Sequence, residues 1–168
     1  MPRPERIVIN TSPLITLVAA LGDLTVLRSL YTEVLVPLEV CQEITAGGRD
    51  GFAVAEFEAA NWLHKKDTYL NISPFLLNSL DLGEAAVIQL ALDENIKTVC
   101  IDEAVGRRIA RLNGLSLTGS IGILLRAKQS GYPLQMQPAI QRMQNRGIRL
   151  SSKVIDFALR KAEESDRC

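Results

Sequence analysis

The sequence predicts an α/β fold, a sandwich of helices around a mostly parallel central sheet. Short β-like runs alternate with helical stretches along the whole chain. The run Thr98-Val-Cys-Ile-Asp102 is continuously apolar through Val99, Cys100 and Ile101, as in a strand covered on both faces. Leu14, Leu17, Val18 and Leu21 show the helical spacing of a single buried face.

Each element has a local reason. Arg6-Ile-Val-Ile-Asn10 is a short apolar strand. Ser12-Pro13 predicts a helix start, because Ser is a favoured N-cap and Pro fits the first helical position. Gly22 stops that helix, and Leu24, Leu27 and Leu30 predict a second, short one. Val34-Leu35-Val36 is the next strand, and Pro37 opens a helix through about Ala46, ended by Gly47-Gly48. Residues 50–60 read as helical and Trp62 to Lys66 as a short extended piece. Asp81 to Asn95 form a strong helix, residues 98–102 a strand and 103–113 a helix closed by Asn113-Gly114. Leu115 to Thr118 is the last strand, followed by a helix over 120–130 and by C-terminal helices over about 137–145 and 152–164.

At 168 residues the chain is expected to be one domain spanning residues 1–168. Its 47% apolar and 23% charged residues are globular proportions and exclude disorder and collagen-like repeats. Leu14 to Leu21, the longest nearly apolar run, is far short of the roughly 18–20 residues that span a membrane. The N-terminus has no signal-peptide order. A soluble, cytoplasmic protein with no membrane partner is expected.

Charge is balanced overall but divided along the chain. Residues 1–96 carry 6 Lys and Arg against 13 Asp and Glu, a net −7, and residues 97–168 carry 13 against 6, a net +7. That division suits a polyanion-binding face beside an acidic site, or two solvated surfaces. Cys41, Cys100 and Cys168 are an odd, widely spaced set, read as free thiols, with Cys41 and Cys100 as small core residues. The single histidine, His64, has no nucleophile ordered around it. Neither a Walker A loop nor a GxGxxG pattern occurs.

In open α/β sheets, ligands bind outside the carboxyl ends of the strands. That rule selects Asn10-Thr11-Ser12, Asp102-Glu103 and Thr118-Gly119-Ser120, with Glu43 and Glu84 joining from helices. Carboxylates that converge on one spot repel unless a cation lies between them, and oxygen ligands favour Mg²⁺ or Mn²⁺. Such an ion can activate water in phosphodiester cleavage. Each residue also has a plainer role open to it. Asp102 can N-cap the helix after it, Glu84 can close a capping box with Asp81, and Glu43 can share a solvated acidic face with Glu39. Arg107, Arg108 and Arg111 share a helix face, which suits backbone phosphates or solvent equally. With aromatics at only 5%, base stacking is not expected to carry recognition.

Five segments then carry a family likeness: Val8-Ile-Asn-Thr-Ser-Pro-Leu-Ile15, Val34-Leu-Val-Pro37 with Glu43, Leu80-Asp-Leu-Gly-Glu-Ala-Ala-Val-Ile88, Ile101-Asp-Glu-Ala-Val-Gly-Arg107 and Gly119-Ser-Ile-Gly-Ile-Leu-Leu125. In this order they resemble the PIN-domain family, in particular its VapC-like, toxin-type branch, over residues 6 to 160. The resemblance implies a three-layer α/β/α sandwich and an endoribonuclease dependent on Mg²⁺ or Mn²⁺. It also implies the toxin role in a toxin–antitoxin pair, a homodimer and a small antitoxin protein as partner. The family's acidic positions fall on Asn10, Glu43, Glu84 and Asp102, as metal-binding and catalytic residues. Ser12 and Ser120 take supporting roles, and Arg107, Arg108 and Arg111 are candidate RNA contacts. The departure is Asn10, where an aspartate is usual. Asn ligates through its carbonyl oxygen and brings no charge, so weak metal binding is expected. A catalytically silent RNA- or protein-binding module is the alternative that Asn10 favours.

Overall fold

The structure, a computed structural model, describes residues 5–47 and 51–166, the last four as backbone alone. The expected residues Gly48 and Cys168 lie outside it. Five strands form one sheet: β1 (Arg6–Ile9), β2 (Glu33–Val36), β3 (His64–Lys65), β4 (Thr98–Cys100) and β5 (Ser116–Thr118). Their order is β3-β2-β1-β4-β5, and every pair is parallel. Ile7, Val8 and Ile9 of the central strand are wholly buried, as are Val99 and Cys100 beside them. Strands covered on both faces need such continuous apolar runs.

The helices are α1 (Thr11–Leu21), α2 (Thr25–Leu30), α3 (Leu38–Ala46), α4 (Val54–Ala59), α5 (Pro74–Ser79), α6 (Leu82–Asp93), α7 (Ala104–Leu112), α8 (Ser120–Gln129), α9 (Met136–Asn145) and α10 (Ser152–Asp166). They cover the sheet in two groups, giving the three-layer sandwich. In one, α1 packs on α9, and α8 on α2 and α10. In the other, α6 packs on β1, β4, α5 and α7, and α3 touches both groups through α6 and α1. The C-terminal helices belong to the core, with Ile140, Met143 and Ala158 buried. No described helix is long and apolar enough to cross a membrane.

Two helix boundaries carry information. Ser12 is not the cap of the first helix. β1 runs straight into α1, so the extended Asn10 occupies the N-cap, yet its side chain makes no capping hydrogen bond. Pro13 still fits, since N–H groups of the first turn have no helical partner to lose. The short α5 is absent from the sequence-based reading. Its signal is the same Ser-Pro start: Ser73 accepts from Leu76 N–H at 3.3 Å, and Pro74 follows. Helix ends at Gly22 and Gly47 follow expectation, both left-handed with φ of 89° and 73°. Cys100 is a core residue, whereas Cys41 is only half-buried.

The strand order also locates the site. From β1 the chain proceeds to β2 on one side, and from β4 to β5 on the other. The carboxyl ends of β1 and β4 therefore flank a topological switch point, the usual position of a ligand crevice in such sheets. The chain leaves them at Asn10 and at Ile101-Asp102, where Asn10 N–H donates to the Cys100 carbonyl at 3.1 Å.

Candidate metal centre

Asn10 is 4% exposed, and its Oδ1 has no hydrogen-bond partner among the described residues. Such an orphaned acceptor normally costs on the order of 1–3 kcal/mol and calls for a partner such as a water or an ion. Next to it, Thr11 Oγ1 donates to Glu43 Oε1 at 2.5 Å. That bond ties Glu43, an exposed residue of α3, to the start of α1. Glu39 is not its solvated companion: Glu39 is buried, its Oε2 accepts from Leu70 N–H at 3.1 Å, and its Oε1 is also without a partner among the described residues. Gly83 leaves the room for this arrangement. A Cβ there would lie 2.8 Å from Glu43 Oε1, 3.2 Å from Asn10 Oδ1 and 3.7 Å from Asp81 Oδ1.

Glu84 follows on α6. Asp81 caps this helix, accepting from Glu84 N–H at 2.9 Å. The Asp81 backbone also acts on the Glu84 carboxyl, as a capping box would have it, so the box does not exclude a second role for the other oxygen. Glu84 is 4% exposed, and its Oε2 has no partner among the described residues. It points at Gly106 of α7, where a Cβ would come within 2.6 Å of that oxygen. One oxygen each from Asp81, Glu84 and Glu103 lies within 4.8 Å of the others. Burial pushes the Glu84 carboxyl up to about 7, and the neighbouring Asp81 and Glu103 charges push the same way. No ion pair joins any of these acids to a described Lys or Arg.

Asp102 stands apart from that trio. It does not cap α7, whose N-cap is Glu103. Its Oδ1 accepts from Ser120 N–H at 2.8 Å and its Oδ2 from Ser120 Oγ at 2.5 Å. Gly119 permits the approach, since a Cβ there would meet Asp102 Oδ1 at 2.8 Å and Arg107 Nη1 at 2.9 Å. Arg107 donates to the Ile101 carbonyl at 2.7 Å. Arg107, Asp102 and Glu103 line a cleft of about 870 Å³, with Ser12 and Ser120. A second pocket of about 400 Å³ is lined by Asn10, Thr11, Glu43, Asp81 and Glu103. Ser12, Ile15 and Glu103 line both, so the two depressions adjoin. Arg108 and Arg111 are exposed on α7 and line neither.

Of the expected residues, Asn10 and Glu43 thus meet beside Gly83, Glu84 lies with Asp81 and Glu103, and Asp102 is held by Ser120. The sequence reading named Asp81 only as a cap and gave Glu103 no role. Their signal was positional: Asp81 is three residues before Glu84, and Glu103 directly follows Asp102. An oxygen-only donor set with two orphaned buried oxygens fits a hard dication.

Fold and acids together define an α/β protein with a carboxylate centre at its switch point. A family model described as a PIN domain matches residues 6–164, so the chain belongs to the PIN-domain family. No curated protein matches the chain.

Proposed function

We propose that this protein is an endoribonuclease dependent on Mg²⁺ or Mn²⁺, of the VapC-like, toxin-type branch. The observation that carries the reading is the set of acids at the switch point, with two buried oxygens unpartnered and no described cation paired to them. In this reading Glu43, Glu84, Asp102 and the Asn10 amide oxygen hold the ion. When bound, it supplies an activated water and stabilises the leaving oxygen of a phosphodiester. Thr11 holds Glu43 at the pocket, and Ser120 fixes both Asp102 oxygens, so two ligands are preorganised. Ser12 borders both depressions and orients a water or phosphate oxygen. Arg107, on the cleft wall, meets the RNA backbone, and Arg108 and Arg111 continue the basic track along α7. The remaining parts of the reading are a single cytoplasmic domain, a homodimer and a small antitoxin that silences it.

A second reading has one observation in its favour. Asn10 is neutral where the family usually has an aspartate, which suits a silent RNA- or protein-binding module. Purified protein incubated with a mixed panel of structured RNAs separates the two. The nuclease reading expects Mn²⁺-dependent cleavage that EDTA and Asp102→Ala both abolish. Binding of the panel without cleavage, in a protein that Asn10→Asp then activates, supports the silent module.

A further inference from the structure

We propose that Asp81 supplies to the metal centre the negative charge that Asn10 lacks, as a ligand or as a charge directly beside the ion. The proposal rests on the metal-centre reading above and adds a residue to it. Asp81 and Glu103 both belong to the two halves of the centre, and of the two it is Asp81 that reaches the Gly83 gap. Across Gly83 its Oδ1 approaches the point that Glu43 Oε1 and Asn10 Oδ1 also approach, at 3.7, 2.8 and 3.2 Å from the position of a Cβ. On its other side it is grouped with Glu84 and Glu103, one oxygen of each within 4.8 Å of the rest. It also lines the pocket of about 400 Å³ into which Asn10 and Glu43 open.

The cluster of acids alone would not make a site. The second observation is the pair of orphaned oxygens, Asn10 Oδ1 and Glu84 Oε2, on side chains each 4% exposed. Both belong to the acceptor set that surrounds Asp81. Capping does not exhaust Asp81. The cap uses Oδ1 for one N–H, and an ionised carboxylate has roughly four lone-pair positions over two oxygens. Nor does capping need its charge, since Asn and Ser cap as well as Asp. A neutral Asn10 beside an ionised Asp81 gives the centre the same formal charge as an aspartate at position 10 with a neutral cap.

This relocation of charge is testable without any nuclease assay. Mn²⁺ is titrated into metal-free full-length protein, and free Mn²⁺ is followed by electron paramagnetic resonance. Thermal midpoints are recorded in EDTA. Asp81→Asn keeps the cap and removes the charge, so affinity should fall by about 10–100-fold, the range of partners that tune a metal site. The midpoint in EDTA should not fall. Asn10→Asp added to Asp81→Asn should return affinity to near the wild-type value. Asp81→Ser, a second neutral cap, guards against a folding defect particular to Asn. Mn²⁺ binding that Glu84→Gln weakens but both Asp81 variants leave within twofold of wild type overturns the Asp81 assignment alone. A wild-type protein that binds no Mn²⁺ overturns the metal centre and this proposal together.

Discussion

Ser120 holds both oxygens of Asp102, its N–H on Oδ1 at 2.8 Å and its hydroxyl on Oδ2 at 2.5 Å. Both bonds come from the first residue of α8, so the helix start fixes the carboxylate that ends the neighbouring strand segment. Ser120→Ala keeps the N–H bond and deletes the hydroxyl. Asp102 is exposed, so water can replace the lost bond and the stability cost should stay near 0.5–1.5 kcal/mol. Mn²⁺ affinity should fall by about 10–100-fold. A calorimetric melt and an Mn²⁺ titration of the same variant check the two halves.

Gly106 and Glu84 are in similarly close relation. A Cβ at 106 would lie 2.6 Å from Glu84 Oε2 and 2.9 Å from Ile101 Cγ2. Gly106→Ala must displace the carboxylate, the buried isoleucine or both. Overpacking of this kind costs typically about 1–3 kcal/mol. Denaturant unfolding should register that loss, and Mn²⁺ affinity should fall with it because Glu84 is moved.

The metal-free protein should lose stability as pH rises from about 4.5 to about 7. The Glu84 carboxyl is pushed up to about 7 in the folded state from an ordinary 4.5, so the folded state holds a proton that the unfolded chain gives up earlier. Its contribution is complete below the unfolded value and gone above the folded one. Glu84→Gln keeps a neutral side chain at every pH. In EDTA at pH 8 it should therefore be more stable than wild type, by at most about 3 kcal/mol. Melting curves of both proteins from about pH 4 to about pH 8, which brackets the ordinary and the raised value, test the sign. Mn²⁺ affinity of the wild type should rise over the same interval, since the ion displaces that proton.

Arg108 and Arg111 are exposed on α7 and line neither depression. If they meet the RNA backbone, Arg108→Ala with Arg111→Ala weakens binding about equally for all RNAs. The slope of log affinity against log salt should drop by about one per lost phosphate contact. The melting temperature should not move. Filter binding at several salt concentrations is sufficient.

Much of this architecture was legible in the residues. The continuous apolar runs Ile7–Ile9 and Val99–Ile101 announce strands of a buried parallel sheet. The carboxyl-end rule then selects Asn10, Asp102 and Ser120 before any coordinate. The pairing of these residues was not legible, because it depends on register. Cys100 pairs with Thr118, and this brings Ser120 level with Asp102, each two residues beyond the pair. The share of Asp81 and Glu103 in the acidic centre was hidden for a different reason. An N-cap aspartate and an exposed strand-end glutamate have complete local explanations, and only the close approach allowed by Gly83 and Gly106 brings acids together around them. Short α5 was missed although Ser73-Pro74 carries a clear start signal, because the segment lacks an extended apolar stripe.

The most direct test of the central claim is the chemical nature of the RNA ends. Cleavage in Mn²⁺ by attack of water leaves linear monophosphate ends, and the account predicts these from wild-type protein and no products from Asp102→Ala or in EDTA. Products ending in 2′,3′-cyclic phosphate, or cleavage that persists in EDTA and in Asp102→Ala, would contradict a hydrolytic carboxylate–metal centre.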